Sequence, residues 1–224
     1  MELSGAHCAI AIFDLDNTLI GGDSDHTWGQ FLVTEGVVDR NWYEHQNDRF
    51  YRDYKQGTLD IDAFLDFALQ PLSEHSYDDL VTLRDRFMAR CIEPMILPKA
   101  LALVEQHRDS GHQLLIITAT NRFVTELIAK RYGITELLAT EPEMQDGRFT
   151  GRVAGVPCFQ AGKIHRFHDW LSARNINAAE TWFYSDSHND LPLLNEVDNP
   201  VAVDPDQTLS DIAKQRNWPQ ISLR

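Results

Sequence analysis

Five short runs dominate the hydropathy pattern: CAIAIFD (8–14), QLLIITA (113–119), ELLAT (136–140), TWFYSD (181–186) and PVAVD (200–204). Each is apolar without alternation. That predicts strands covered on both faces, and such strands belong to a parallel sheet. Helical patterns separate most of them. Pro98 opens one that Gly111 closes, NRFVTELIAKRYG ends on Gly133, and apolar residues at 164, 167, 170 and 171 mark another. The alternation predicts an α/β fold with a doubly wound parallel sheet and right-handed crossovers. Asp146-Gly147 predicts a hairpin after the third strand.

One interval breaks the rhythm. Between Asp14 and Thr118 the chain is far longer than the ~30 residues a βαβ unit needs. The surplus reads as four helices: one ending near Gly36, one from Asp39 to Gly57, one from Asp60 to Pro71, and one from Ser76 to Ile92 before Pro94. The expected division is therefore a core of residues 1–21 and 93–224 and a helical-bundle cap of residues 22–92. An insertion at a strand's carboxyl end lies over the place where open α/β sheets bind ligands.

Composition narrows the function. Apolar residues make up 43%, enough for a packed core. The 34 acidic and 20 Lys/Arg residues give a net charge of −14, which argues against nucleic acid and anionic membranes as partners. Cys8, Cys91 and Cys158 are odd in number and widely spaced, which predicts reduced thiols and a cytoplasmic location. The sequence suggests neither a signal peptide nor a run approaching the ~20 apolar residues of a membrane span.

The chemistry-bearing residues fall at strand ends and helix starts. Asp14 and Asp16 follow the first strand, Thr118 and Thr120 the second, and Asp186, Asn189 and Asp190 the fourth, while Lys163 opens a helix. In a parallel sheet those ends share one edge, so the groups can converge. Asp14, Asp186 and Asp190 offer the hard oxygens that suit Mg²⁺. Thr118, the amides beside it at Ala119, and Lys163 offer donors to phosphate oxygens. A carboxylate can attack phosphorus, and a second two residues on can protonate the leaving oxygen and then activate water.

In this order, FDLDNT, ITAT, the isolated Lys163 and SDSHND resemble the haloacid dehalogenase superfamily, and nearest to them its phosphoserine-phosphatase-like branch, whose helical cap lies between the first two motifs. The resemblance implies a Rossmann-like core and a phosphatase acting on a small-molecule phosphate monoester, as a monomer or homodimer. It makes Asp14 the nucleophile and Asp16 the acid/base. It places Mg²⁺ on Asp14, the Asp16 backbone carbonyl and Asp186, with Asp190 behind them or joined through water. Thr118, Ala119, Lys163 and Asn189 would hold the phosphoryl group. One departure is TAT, where phosphoserine enzymes usually show Ser-Gly-Gly.

Asp23, Asp25 and His26 admit two readings: an N-cap cluster opening the first cap helix, or substrate recognition. Asp23 lies nine residues after Asp14, where phosphoserine phosphatases carry a Glu for the substrate amine. Their cap arginine, which pairs with the substrate carboxylate, aligns with Asp66, although Arg49 or Arg52 would be near enough to replace it. A pocket with the amine partner and no carboxylate partner favours a cationic monoester, and histidinol phosphate fits. Phosphoserine is the alternative; a phosphomutase or a non-catalytic binding protein on the same fold are the readings from other classes. His107, His112 and His188 read as surface residues.

Overall fold

The structure is a computed structural model and describes residues 6–224; residues 1–5 of the expected core lie outside the described residues. The chain runs β1 (Ala6–Phe13), α1 (Ser24–Thr34), α2 (Arg40–Gln56), α3 (Ile61–Glu74), α4 (Tyr77–Phe87), α5 (Pro98–Asp109), β2 (Gln113–Asn121), α6 (Arg122–Arg131), β3 (Glu136–Thr140), β4 (Pro142–Gln145), β5 (Arg148–Val153), α7 (Ala161–Ala173), β6 (Ile176–Ser185), α8 (Leu191–Leu194), β7 (Asn199–Val203), α9 (Gln207–Arg216) and β8 (Gln220–Ile221).

The continuous apolar runs become a parallel six-stranded sheet in the order β3-β2-β1-β6-β7-β8. Its two faces divide the β1 side chains: Ile10 and Ile12 pack with Leu115, Ile117 and Phe183 on one, while Ala11 and Phe13 pack with Ile116 and Tyr184 on the other. Strand order reverses between β1 and β6, where Phe13 pairs with Tyr184. Asp14 and Asp186 therefore leave adjacent strands at the switch point, the position at which open α/β sheets take ligands. The Asp146-Gly147 turn joins β4 to β5 in a separate hairpin, with φ of 52° and 77°.

The long interval is helical, and its boundaries follow local chemistry. The side chains of Asp23, Asp39, Asp60 and Ser76 each accept from a backbone N–H to cap α1 to α4. Gly57 closes α2 in a left-handed conformation. Trp28, Phe31 and Phe87 pack together in the interior of the insertion. An antiparallel bridge between Ile20 and Ile96 ties its two chain crossings together.

Three local expectations need correction. α3 continues through Pro71 to Glu74, because Phe67, Ala68, Leu69 and Leu72 are buried and that packing outweighs one missing N–H. The fourth helix ends at Phe87, and a π-helical turn (88–92) and a 3₁₀ turn (93–95) follow. His107 is not a surface residue: it is 7% exposed, with Nε2 2.8 Å from the Tyr184 hydroxyl and Nδ1 2.8 Å from His112 Nδ1. Among the described residues no helix is long and apolar enough to cross a membrane.

At Gly29 α1 approaches α2 too closely for a side chain. A Cβ there would lie 2.6 Å from the Asn47 carboxamide, whose Nδ2 donates to His26 O at 2.8 Å. Gly29→Ala gains ~1 kcal/mol of helix propensity but displaces a buried hydrogen bond worth about 1–3 kcal/mol and crowds the interface. The expected outcome is a net loss of ~1–3 kcal/mol in urea denaturation, and a variant as stable as the parent would show that α1 and α2 can separate freely.

Candidate active site

Lys163 sits at the start of α7, where an ammonium opposes the helix dipole. The local reason is two carboxylates: Nζ lies 2.7 Å from Asp14 Oδ1 and 2.7 Å from Asp190 Oδ1, and Lys163 is only 2% exposed. Burial alone would lower the lysine's pKa, but Asp14 and Asp190 outweigh it and hold the group charged. The backbone around it is tight: a Cβ on Gly162 would lie 2.0 Å from Pro157 O.

Asp14 is 4% exposed. Burial lifts its carboxyl to about 7 against the pull of Lys163, with Asp190 and Asp16 pushing the same way as burial. Thr18 Oγ1 lies 3.3 Å from Asp14 Oδ2 and 3.1 Å from Asp186 Oδ1, and it accepts from Asp186 N at 3.1 Å. Asp186 is likewise held well above the usual carboxylate range, by burial and then by Asp14 and Asp190. Asp190 is placed behind this pair, where Lys163 and Ser185 Oγ, at 2.7 Å, take up its oxygens.

Asp16 faces the other way. Its Oδ1 accepts from Ser24 N at 2.6 Å, and its Oδ2 accepts from the hydroxyls of Thr120 at 2.8 Å and Thr118 at 3.4 Å. Burial, and then Asp23, raise it to about 6, while the hydrogen bonds from Ser24 and Thr120 pull it back.

Asp14, Asp16, Asp23, Asp25, His26, Thr118, Ala119 and Thr120 all line one cavity between the sheet edge and the insertion. Lys163, Asp186, Asn189 and Asp190 do not line it. The Asn189 carboxamide is occupied, accepting from Gln160 Nε2 at 3.2 Å and donating to Tyr54 O at 3.0 Å. Asp66, Arg49 and Arg52 are exposed and none lines the cavity. His188 is half-buried and not solvent-facing, with Nδ1 2.7 Å from Asp206.

The far wall was not anticipated. Asn47, Phe50, Tyr51 and Tyr54 of α2 line the cavity with Leu59, Ile61, Phe64 and Phe159. The signal was present as a stripe at 47, 50, 51 and 54, one helix face, but such a stripe more commonly marks packing. Burial, then Asp186, Asp14 and Asp190, hold the Tyr54 hydroxyl well above the usual phenol range.

The donor set at the switch point fits a hard divalent cation. Asp14 and Asp186 offer carboxylate oxygens within reach of one Thr18 hydroxyl, Asp186 has no cation beside it among the described residues, and Asp16 can add its backbone carbonyl. Among the described residues no three His, Cys, Asp or Glu side chains form a cluster able to hold a metal. Two carboxylates completed by a carbonyl, waters and substrate oxygen are the kind of set that Mg²⁺ accepts.

The model of the haloacid dehalogenase-like hydrolases matches residues 11–195, and the chain belongs to that family. A histidinol-phosphatase of Neisseria meningitidis is 46% identical over 96% of this chain and 99% of its own. A phosphoserine phosphatase of Mycobacterium tuberculosis is 32% identical over 94% of this chain and 69% of its own. A solved protein of unknown function from Bordetella pertussis superposes with TM-score 0.92 at 38% identity, covering 98% of this chain and all of that one. A phosphoserine phosphatase solved as a phospho-aspartyl intermediate analogue shares the fold, with TM-score 0.71 at 15% identity, over 98% of this chain and 95% of that one.

The raised carboxyls set a pH dependence of stability. Asp16 binds its proton up to about 6 in the folded protein and only to 3.8 unfolded, so between those values the native state holds more protons and stability falls as pH rises. Asp16→Asn keeps an acceptor for Ser24 N and removes the charge. In metal-free protein it should match the parent at pH 4 and exceed it by on the order of 1–2 kcal/mol at pH 8, measured by urea denaturation; an equal gain at both values would mean that charge burial is not the cause.

Proposed function

We propose that this chain is a Mg²⁺-dependent phosphomonoesterase that carries the phosphoryl group on Asp14 and acts on a small amine-bearing phosphate ester, best matched by L-histidinol phosphate. It is a phosphatase of its family: the Neisseria relative, matched nearly end to end, is named for that activity. The observation that carries the mechanism is the placement of Asp14, Asp16 and Thr118 on one cavity, with Lys163 braced against Asp14 from outside it.

On this reading Asp14 attacks phosphorus as its bond to the ester oxygen breaks, and Asp16 gives its proton to that departing oxygen. Near pH 6 Asp16 can both donate and accept, the condition for general acid–base work close to neutrality. Asp16 then takes a proton from water, which attacks phosphorus, breaks the acyl phosphate bond and frees Asp14. Thr118 offers its hydroxyl to a phosphoryl oxygen, and Lys163 balances the charge beside Asp14. Asp14, Asp186 and the Asp16 carbonyl would hold Mg²⁺, which supplies charge neutralisation at the phosphoryl oxygens. Residues 22–92 act as the cap that excludes water from the transfer.

The substrate reading rests on what the cavity offers. Asp23 and Asp25 line it, aromatic side chains form its far wall, and no Arg or Lys is among the lining residues. A substrate carboxylate would enter unpaired beside existing negative charge, at a cost of several kcal/mol.

Asp14→Asn should abolish turnover of p-nitrophenyl phosphate while leaving circular dichroism unchanged, and appreciable residual hydrolysis would rule out Asp14 as nucleophile. The parent enzyme with Mg²⁺ should prefer L-histidinol phosphate over O-phosphoserine by ~10²-fold or more in kcat/KM. Equal turnover of the two would remove the basis for a cationic substrate.

A further inference from the structure

The two acidic residues on the cap side of the cavity are in different situations. Asp23 is already engaged: its Oδ1 accepts from His26 N at 2.8 Å as the N-cap of α1. Burial raises the Asp23 carboxyl above its usual range, while the hydrogen bond from His26 N and the Lys55 ammonium pull it back. Asp25, in the first turn of the same helix, lines the cavity and has no hydrogen-bond or ion-pair partner among the described residues. The charges that act on it are Asp23 and Asp16, both negative, and with burial they raise its pKa well above the usual range.

The surroundings of Asp25 are equally specific. His26 stacks on Tyr51 with ring centroids 4.3 Å apart and planes 14° from parallel, and both line the cavity. His26 Nε2 is 3.0 Å from Gln30 Nε2, while its Nδ1 is buried without a partner. An unpaired carboxylate beside a flat aromatic wall and an unused ring nitrogen forms a receptor for a group that is cationic at one point and planar at another.

We infer that Asp25, and not Asp23, is the specificity residue that binds the ammonium of the leaving alcohol, and that the His26–Tyr51 stack forms the wall for a planar ring on the same molecule. This deepens the phosphatase reading above and rests on it. The assignment moves amine recognition two residues along the chain, from a carboxylate fixed as a helix cap to one that is free.

Asp25→Asn is nearly isosteric and removes a half-buried, unpaired charge, so the fold should not suffer. The ratio of kcat/KM for L-histidinol phosphate to that for p-nitrophenyl phosphate, whose leaving group is uncharged, should fall ~10–10²-fold, chiefly through KM. Calorimetric binding of L-histidinol itself should weaken in parallel. Asp23→Asn keeps the oxygen that accepts from His26 N and should leave Tm and the ratio of the two substrates near those of the parent. If Asp25→Asn lowers both substrates alike, or binds L-histidinol as the parent does, the inference is overturned; a selective loss confined to Asp23→Asn overturns it as well. The arms separate the two ideas. Parent protein that binds L-histidinol in an Asp25-dependent way yet hydrolyses neither ester with Mg²⁺ supports the receptor and sinks the phosphatase reading. Parent protein that hydrolyses p-nitrophenyl phosphate without binding L-histidinol does the reverse.

Discussion

The ammonium of Lys163 is the constraint around which the site is arranged. Two unit charges 4 Å apart interact by roughly 4 kcal/mol where the effective dielectric is near 20, so carboxylates gathered at one sheet edge resist folding unless something opposes them. Lys163 reaches Asp14 and Asp190 at once. Among the described residues it leaves Asp186 with the Thr18 hydroxyl and Asp16 with Ser24 N–H and two threonine hydroxyls. The core is thus balanced on one side and short of positive charge on the other, and on the proposed reading the divalent ion and the substrate's phosphoryl group meet on the deficient side.

That arrangement extends into the insertion through a few contacts at the end of α2. Asn189 donates to Tyr54 O, and Gly57 lies so near His188 that a Cβ would come within 2.6 Å of its Nε2. His188 is held in turn by Asp206, which bonds both its backbone N–H and its Nδ1 and also caps α9. The loop carrying Asp186 and Asp190 therefore touches the helix carrying Tyr51 and Tyr54. Gly57 serves two needs there: φ of 71°, and room for an imidazole. A helix that supplies the cavity wall is registered against the loop that supplies the carboxylates.

Much of this was legible in the chain. Continuous apolar strands, and acidic, hydroxyl and lysine residues at their ends, foretold a parallel sheet with one chemical edge, because a sheet covered on both faces leaves no other pattern. Glycine and aspartate punctuation located the four inserted helices. What escaped was set by packing. The same four-residue stripe on α2 would serve a buried core or a cavity wall, and only the position of Phe159 across from it decides. His107 looked like a surface residue because its partners, Tyr184 and His112, are joined to it by the fold, and only Tyr184 is distant in sequence. Asp23 and Asp25 were indistinguishable as a charge cluster, and the helix start, one turn in three dimensions, separates the cap from the free carboxylate.

The charge of the whole molecule bears on the same question. A net charge of −14 repels a phosphate dianion before it reaches the cavity, although beyond a Debye length of about 8 Å salt screens most of that field. A monoester that carries its own ammonium has less net charge and a large dipole. It approaches an acidic protein with its cationic end favoured toward the surface and its phosphate toward the one buried ammonium. The cavity offers that polarity in order, with Asp25 on the cap side and Lys163 behind Asp14 on the core side. On the proposed reading, an acidic surface, a cavity lining free of arginine and a lysine behind Asp14 all suit an ester that is negative at one end and positive at the other.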